Sequence, residues 1–195
     1  RQVRPDSGYS RAVAAFDGSL IGMVGEGNRK DIRNAVEAAH SASKWGSASA
    51  HHRAQVLYFL AENLEVRSDE FSQRLEMLTG ANGDLQVKES INRLFFYAGW
   101  CDKYEGAVHQ PPLGRVVFAV PEPVGVMGLI CPERDSLLGL ISLIAPAIAL
   151  GNTVITIPSE SGALVATDFY QILETSDIPE GVVNIITGSR PNLAS

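Results

Sequence analysis

One stretch constrains the fold more than any other: Glu122 to Glu160, EPVGVMGLICPERDSLLGLISLIAPAIALGNTVITIPSE. It opens with an apolar run, Val124 to Cys131, that reads as a buried strand. Pro132 to Asp135 make a polar corner. Leu137 to Leu150 are almost wholly apolar and long enough for a helix, Gly151 and Asn152 stop it, and Thr153 to Ile157 read as a second buried strand. Strand, apolar helix, strand is a βαβ unit, whose strands are covered on both faces and therefore read as continuous apolar runs. Ligands of such units sit at the carboxyl ends of the strands. Those ends are Cys131-Pro132-Glu133-Arg134 and Ile157-Pro158-Ser159-Glu160, so function is expected at these two corners.

The rest of the chain supplies layers around this unit. Residues 12–24 alternate weakly about an Asp17-Gly18 turn and read as a hairpin. Asn28 is a good helix N-cap, with Asp31 three residues later. Ile32, Ala35, Val36 and Ala39 then space as an amphipathic helix to about Lys44. A second helix runs from about His51 to Arg67, with Val56, Leu57, Leu60, Ala61 and Leu64 as its apolar stripe. Ser68 is expected to cap a third helix ended by Gly80. Asp84 is expected to cap a fourth that carries Val87, Ile91, Leu94 and Phe95 inward and continues to about Tyr104. Four prolines, Pro111, Pro112, Pro121 and Pro123, flank the short β-branched strand GRVVFAV and mark an edge strand or crossover. After the βαβ unit, Ser161 to Thr175 read as a helix and Val182 to Ile186 as a third buried strand.

Composition narrows the function classes. The chain has 195 residues, enough for one domain or one and a half. A net charge of -6 without any Lys/Arg-rich run argues against a nucleic-acid partner. The apolar part of the 137–157 run is about 14 residues, short of the ~20 that a bilayer requires, so no membrane span is expected. The N-terminal RQVRPDSGYS has no apolar h-region, and no signal peptide is expected. Cys101 and Cys131 lack metal-ligand spacing and make a poor disulfide framework, which favours a reducing, cytoplasmic compartment. His51 and His52 are adjacent and point apart on a helix, and His40 and His109 are isolated, so no metal site is expected. Cys131 and Cys101 read as small buried apolar residues rather than nucleophiles. Trp45 and Trp100 read as core or interface.

EPVGVMGLICP followed by IAPAIALGNTVITIPSE resembles the aldehyde dehydrogenase superfamily. LFFYAGWCDKYEG is similar to the family's long fourth helix, and GVVNIITG to its third strand. The resemblance runs from about Arg11 to Ala194, roughly the first two-fifths of a complete unit. It implies an α/β fold: N-terminal helices plus the first parallel strands of a Rossmann-like coenzyme domain, with a short β bridging or oligomerisation segment. The implied divisions are 1–107 for the helical N-terminal part, 108–123 for the bridging segment, and 124–195 for a truncated βαβαβ portion.

By the same resemblance the coenzyme is NAD or NADP, and its contacts map to Ile130, Pro132, Glu133, Ile157, Ser159 and Glu160. The departures fall on the chemistry. The family's cysteine nucleophile and general-base glutamate lie past Ser195. Arg134 stands at the position of the oxyanion asparagine. A guanidinium could in principle face an oxyanion, but a surface arginine pairing with Glu133 or Asp135 is the plainer expectation. Ile157 replaces the coenzyme lysine and cannot donate a hydrogen bond. Glu160 matches the ribose-binding glutamate, or is simply a first-turn acid favoured by a helix dipole. Arg190 and Ala194 replace two glycines of the loop that lets backbone approach a pyrophosphate. The Arg190 side chain is expected to occupy the groove or project into solvent. Meanwhile Gly125, Pro132, Pro146, Gly151, Asn152, Thr153 and Pro158 keep the positions that shape turns and packing.

An altered catalytic corner on a kept scaffold resembles the degenerate second unit of family-sixteen aldehyde dehydrogenases. The expected function is a non-catalytic module used as a scaffold, with coenzyme binding weak or lost. Protein partners or self-association through an uncovered sheet edge are expected. The alternatives are part of an NAD(P)-dependent aldehyde dehydrogenase completed downstream, and a regulator with a weakened coenzyme pocket. An aldehyde substrate enters only with the remainder of the enzyme.

Overall fold

The computed structural model describes residues 3–194, with side chains through 193. The first two residues of the N-terminal stretch and Ser195 lie outside it, as does the side chain of Ala194. β1 (Ser10–Ala14) and β2 (Leu20–Gly25) form the expected antiparallel hairpin. The Asp17 carboxylate fixes its turn by accepting from the Ser19 amide at 2.9 Å and the Ser19 hydroxyl at 2.6 Å.

α1 (Arg29–Ser41) starts on a full capping box: the Asn28 side chain accepts from Lys30 and Asp31, and the Asp31 carboxylate accepts from the Asn28 amide. It stops at Ser41, before the expected Lys44, and a 3₁₀ turn over Ser43–Ser47 buries Trp45. α2 (Ala50–Val66) buries the whole predicted stripe. α3 (Ser68–Thr79) ends on a left-handed Gly80 as expected, but Ser68 lies inside the first turn and caps nothing. α4 (Asp84–Trp100) is likewise not capped by Asp84. That carboxylate is engaged by the Ser72 hydroxyl and by Asn82 Nδ2, while the Asp84 amide donates back to Asn82 Oδ1 at 2.7 Å. Asn82 thus builds a local turn that uses up the groups a cap would need. α4 ends at Trp100, short of Tyr104.

β3 (Ala107–His109) and β4 (Val117–Ala119) form a second antiparallel hairpin whose residues are all exposed. Then follow β5 (Val126–Ile130), α5 (Ser136–Ala149), β6 (Thr153–Ile157), α6 (Ala163–Glu174), β7 (Val183–Ile185) and the short α7 (Arg190–Ala194). The sheet order is β5-β6-β7 and every pairing is parallel, with Ile130 opposite Ile157 and Thr156 opposite Ile185.

The packing forms layers. α1 lies on one face of the sheet, and α5 and α6 lie on the other. α2, α3 and α4 pack on one another and on α5 and α6 rather than on the sheet. Alternation along β6 expresses this: Val154 joins the large core of α2–α6, whereas Ile155 joins Ala35, Ala39, Ile186 and Leu193 beneath α1. Among the described strands only β6 is buried on both faces. β5 was expected to be covered on both, yet Gly128 and Ile130 are exposed, Ile130 by 64%. α1 covers the β6 side and little of β5, which leaves an open shelf over the carboxyl end of β5.

The carboxyl end of α5 is tied down from outside, because its last carbonyls lack partners within the helix. Trp45 Nε1 donates to the Ile148 carbonyl at 2.9 Å and Arg53 Nε to the Ala149 carbonyl at 2.9 Å. Buried Asn152 then joins the turn to β5: its Oδ1 accepts from the Gly125 amide at 3.0 Å and its Nδ2 donates to the Ala147 carbonyl at 3.1 Å. Gly151 has φ 84°, and a Cβ there would lie 3.0 Å from Pro123 and 3.1 Å from the Gly46 Cα, so turn and contact both require glycine. Among the described residues, no helix is long and apolar enough to cross a membrane.

Candidate functional site

The three strands end at three corners on one edge of the sheet: 131–135 after β5, 158–162 after β6, and 186–190 after β7. The first corner leads into α5 through Asp135, a non-glycine residue with φ 53°. Asp135 makes no side-chain cap. Instead Gln86, on α4, accepts from the Leu137 amide at 2.9 Å and so satisfies a free amide at the start of α5. Pro132, Glu133 and Arg134 are exposed. The pairing expected of Arg134 with Glu133 or Asp135 does not form: among the described residues Arg134 meets no carboxylate, because Glu133 is engaged elsewhere.

At the second corner Ile157 turns its side chain to the apolar cluster under α1. Ser159 is buried, and its hydroxyl accepts from the Gly162 amide at 3.0 Å, closing the turn into α6. Glu160 lies before α6, whose N-cap is Gly162, so it is not the first-turn acid that a dipole would favour. Its Oε1 accepts the Arg190 amide at 2.9 Å, and its carbonyl accepts Arg11 Nη2 at 2.6 Å.

The third corner is drawn inward. The Ser189 amide donates to Glu26 Oε1 at 2.7 Å, next to the Arg190 amide on Glu160. Glu26 also faces Arg11 Nε at 3.3 Å, as an ion pair without an aligned hydrogen bond. Burial works to raise the Glu26 carboxyl, but the Ser189 hydrogen bonds, the Arg11 charge and Asn192 outweigh it and hold it below the usual carboxylate range. Arg190 takes the groove, one of the two expected courses. Its Nη2 lies 2.8 Å from Glu133 Oε1 and also donates to the Cys131 carbonyl. Its Nε is buried without an acceptor among the described residues.

Cys131 is 1% exposed, and burial pushes its thiol up to about 11 despite the nearby Arg190 charge. It is a core thiol, as is Cys101, which donates to the Tyr97 carbonyl and is likewise raised to about 11 by burial. Among the described residues no cluster of three potential metal ligands exists. A hollow of about 420 Å³ lined by Tyr170, Leu173, Pro179 and Gly181 lies at the opposite end of the strands, away from the three corners.

The structure thus brings Glu133, Ser159 and Glu160 to one edge with Arg190. It leaves Ile130, Pro132 and Arg134 exposed on the shelf and packs the half-buried Ile157 against the apolar cluster under α1. Glu26, Arg11 and Gln86 complete the edge, and no local sequence signal marks them.

A parallel sheet with helices on both faces and polar corners at its strand ends defines a Rossmann-like α/β domain. Residues 3–195 match the aldehyde dehydrogenase family, and the chain belongs to that family. It is 37% identical over 184 residues to an aldehyde dehydrogenase of Agaricus bisporus, covering 90% of this chain and 37% of that protein. It is 34% identical to the human cytosolic 10-formyltetrahydrofolate dehydrogenase, covering 92% of this chain and 21% of that protein. Among solved structures, betaine aldehyde dehydrogenase from Staphylococcus aureus in complex with NAD+ superposes with a TM-score of 0.96 at 25% identity, over 100% of this chain and 40% of that one. PnpE from Pseudomonas sp. WBC-3 superposes with a TM-score of 0.93 at 28% identity, over 100% and 41%. The chain therefore spans about two-fifths or less of the relatives it matches.

Proposed function

We propose that this chain is a non-catalytic aldehyde-dehydrogenase-like module that serves as a scaffold or protein-interaction unit. The observation that carries the reading is the internal use of the third corner: the Ser189 and Arg190 amides go to Glu26 and Glu160. In a coenzyme loop such amides would be free to meet a pyrophosphate. Here a phosphate approaching them would face two carboxylates already in place. Ile157, packed under α1, offers no donor for a ribose. Arg134 extends from the exposed first corner, where a compact amide donor would be needed for an oxyanion. The residues present do not fit a dinucleotide, so NAD or NADP binding is weak or lost, and no reaction step is routed through it.

The pattern resembles the degenerate second unit of family-sixteen aldehyde dehydrogenases. An aldehyde substrate belongs to this chain only together with the rest of an enzyme. Self-association or protein partners would use its exposed strands, and two unpaired, buried cysteines suit a reducing, cytoplasmic setting. Calorimetry with NAD and NADP at millimolar concentration tests the proposal. The expected result is no saturable heat and no thermal shift. Saturable binding that disappears in Glu160→Ala would overturn it.

A further inference from the structure

Resting on that reading, we propose that Arg190 is a built-in stopper that shuts this chain's own dinucleotide groove. β6 lies between β7 and β5, so the segment that follows β7, with its Arg190 amide on Glu160 and its guanidinium on the Cys131 carbonyl, crosses corners two strands apart, about 10 Å. Its path runs over the carboxyl end of β6, in the crevice where ligands of an open parallel sheet enter. Both ends of the residue are fastened. Its amide is held by Glu160 at 2.9 Å, and its Nη2 lies 2.8 Å from Glu133 and on the Cys131 carbonyl. The preceding amide is held by Glu26, so the backbone carrying the arginine is fixed as well.

The buried Nε without an acceptor marks the part of the side chain that lies against the corners, although the side chain as a whole stays 37% exposed. A freely solvated guanidinium would keep all its donors hydrated. Here one donor is given up while the terminal nitrogen keeps its two partners on the far corner. Ile130 remains exposed beside this bridge, so a shelf persists while the Arg190–Glu133 pair lies across the strand ends. Exclusion is thus assigned to one side chain and its counter-ion, with the Glu26 and Glu160 clasps on the Ser189 and Arg190 amides acting by holding that side chain across the crevice.

The test compares the wild-type chain with Glu133→Gln and with the double variant Arg190→Gly/Glu133→Gln, which removes both the stopper and the carboxylate it would leave behind. Each is titrated with NAD and NADP, and far-ultraviolet circular dichroism and thermal unfolding confirm folding. An Arg190→Ala/Glu133→Gln variant replaces the double variant if glycine unsettles α7. The expected result is no saturable heat for the wild type and for Glu133→Gln, where the arginine stays tied to the Cys131 carbonyl. The double variant is expected to show saturable binding, at least about tenfold tighter than the wild-type limit. A folded double variant without any gain overturns the stopper and leaves the non-catalytic reading standing. Wild-type binding with a further gain in the double variant keeps the stopper and overturns that reading. Wild-type binding that the double variant does not improve overturns both.

Discussion

Cys131 occupies a strand-end position where a reactive group would be useful, yet its surroundings make it inert. Burial raises it from 9.0 to about 11, and Cys101 is raised to the same value by the same cause. A shift of that size cuts the thiolate fraction at pH 8 roughly a hundredfold relative to an unperturbed thiol. Iodoacetamide at pH 8 should therefore leave both cysteines of the native chain unmodified and alkylate both after denaturation, as mass spectrometry would read. The sign of the pH dependence follows. A group whose folded pKa lies above its unfolded value stabilises the fold fully below the unfolded value and loses that contribution as pH rises. Both thiols therefore weaken the fold between about pH 9 and 11.

At the scale of elements, the three candidate caps separate a sequence preference from a structural role. Asn28 makes a reciprocal capping box, while Ser68 and Asp84 sit inside their helices. Asn28→Ala should cost about 1 kcal/mol in urea unfolding, and Ser68→Ala a few tenths at most. The hairpin at Asp17-Gly18, the stripe of α2 and the extent of β6 were all legible, because each is a local pattern of turn residues or hydrophobic period. The cover of β5 was not, since an apolar run such as Val124 to Cys131 does not say whether a helix lies on both its faces. The corners were legible as places, and the altered residues at them by resemblance. Their partners were not: Glu26 meets Ser189 and Arg11 meets Glu160 across separations of 163 and 149 residues, where no periodicity links them. Gln86, which caps α5 from α4, is hidden for the same reason.

For the whole molecule, the β3–β4 hairpin is the element with the least internal support. All its residues are exposed, Phe118 by 68%, and it is a two-stranded ribbon, which is marginal alone. If the proposed self-association runs through this ribbon, light scattering should give a mass above that of the monomer. Phe118→Asp should return it toward the monomer with thermal stability of the core unchanged. A monomeric wild type, or an oligomer indifferent to this change, would count against that role.

The clasp of Glu26 on Ser189, with Arg11 on Glu160, also sets an order in time. The β1–β2 hairpin is made well before α6 and the last corner of the sheet, on which it docks. On a ribosome adding 5–20 residues per second, it waits on the order of ten to thirty seconds for that landing site to emerge. Throughout that interval Val13 and Val24, buried in the finished fold, lack Ala163 and Leu164 and have only each other and Leu78 of α3 to pack against. Synthesis of this chain therefore passes through a stage in which this hairpin stands exposed before the elements that cover it exist.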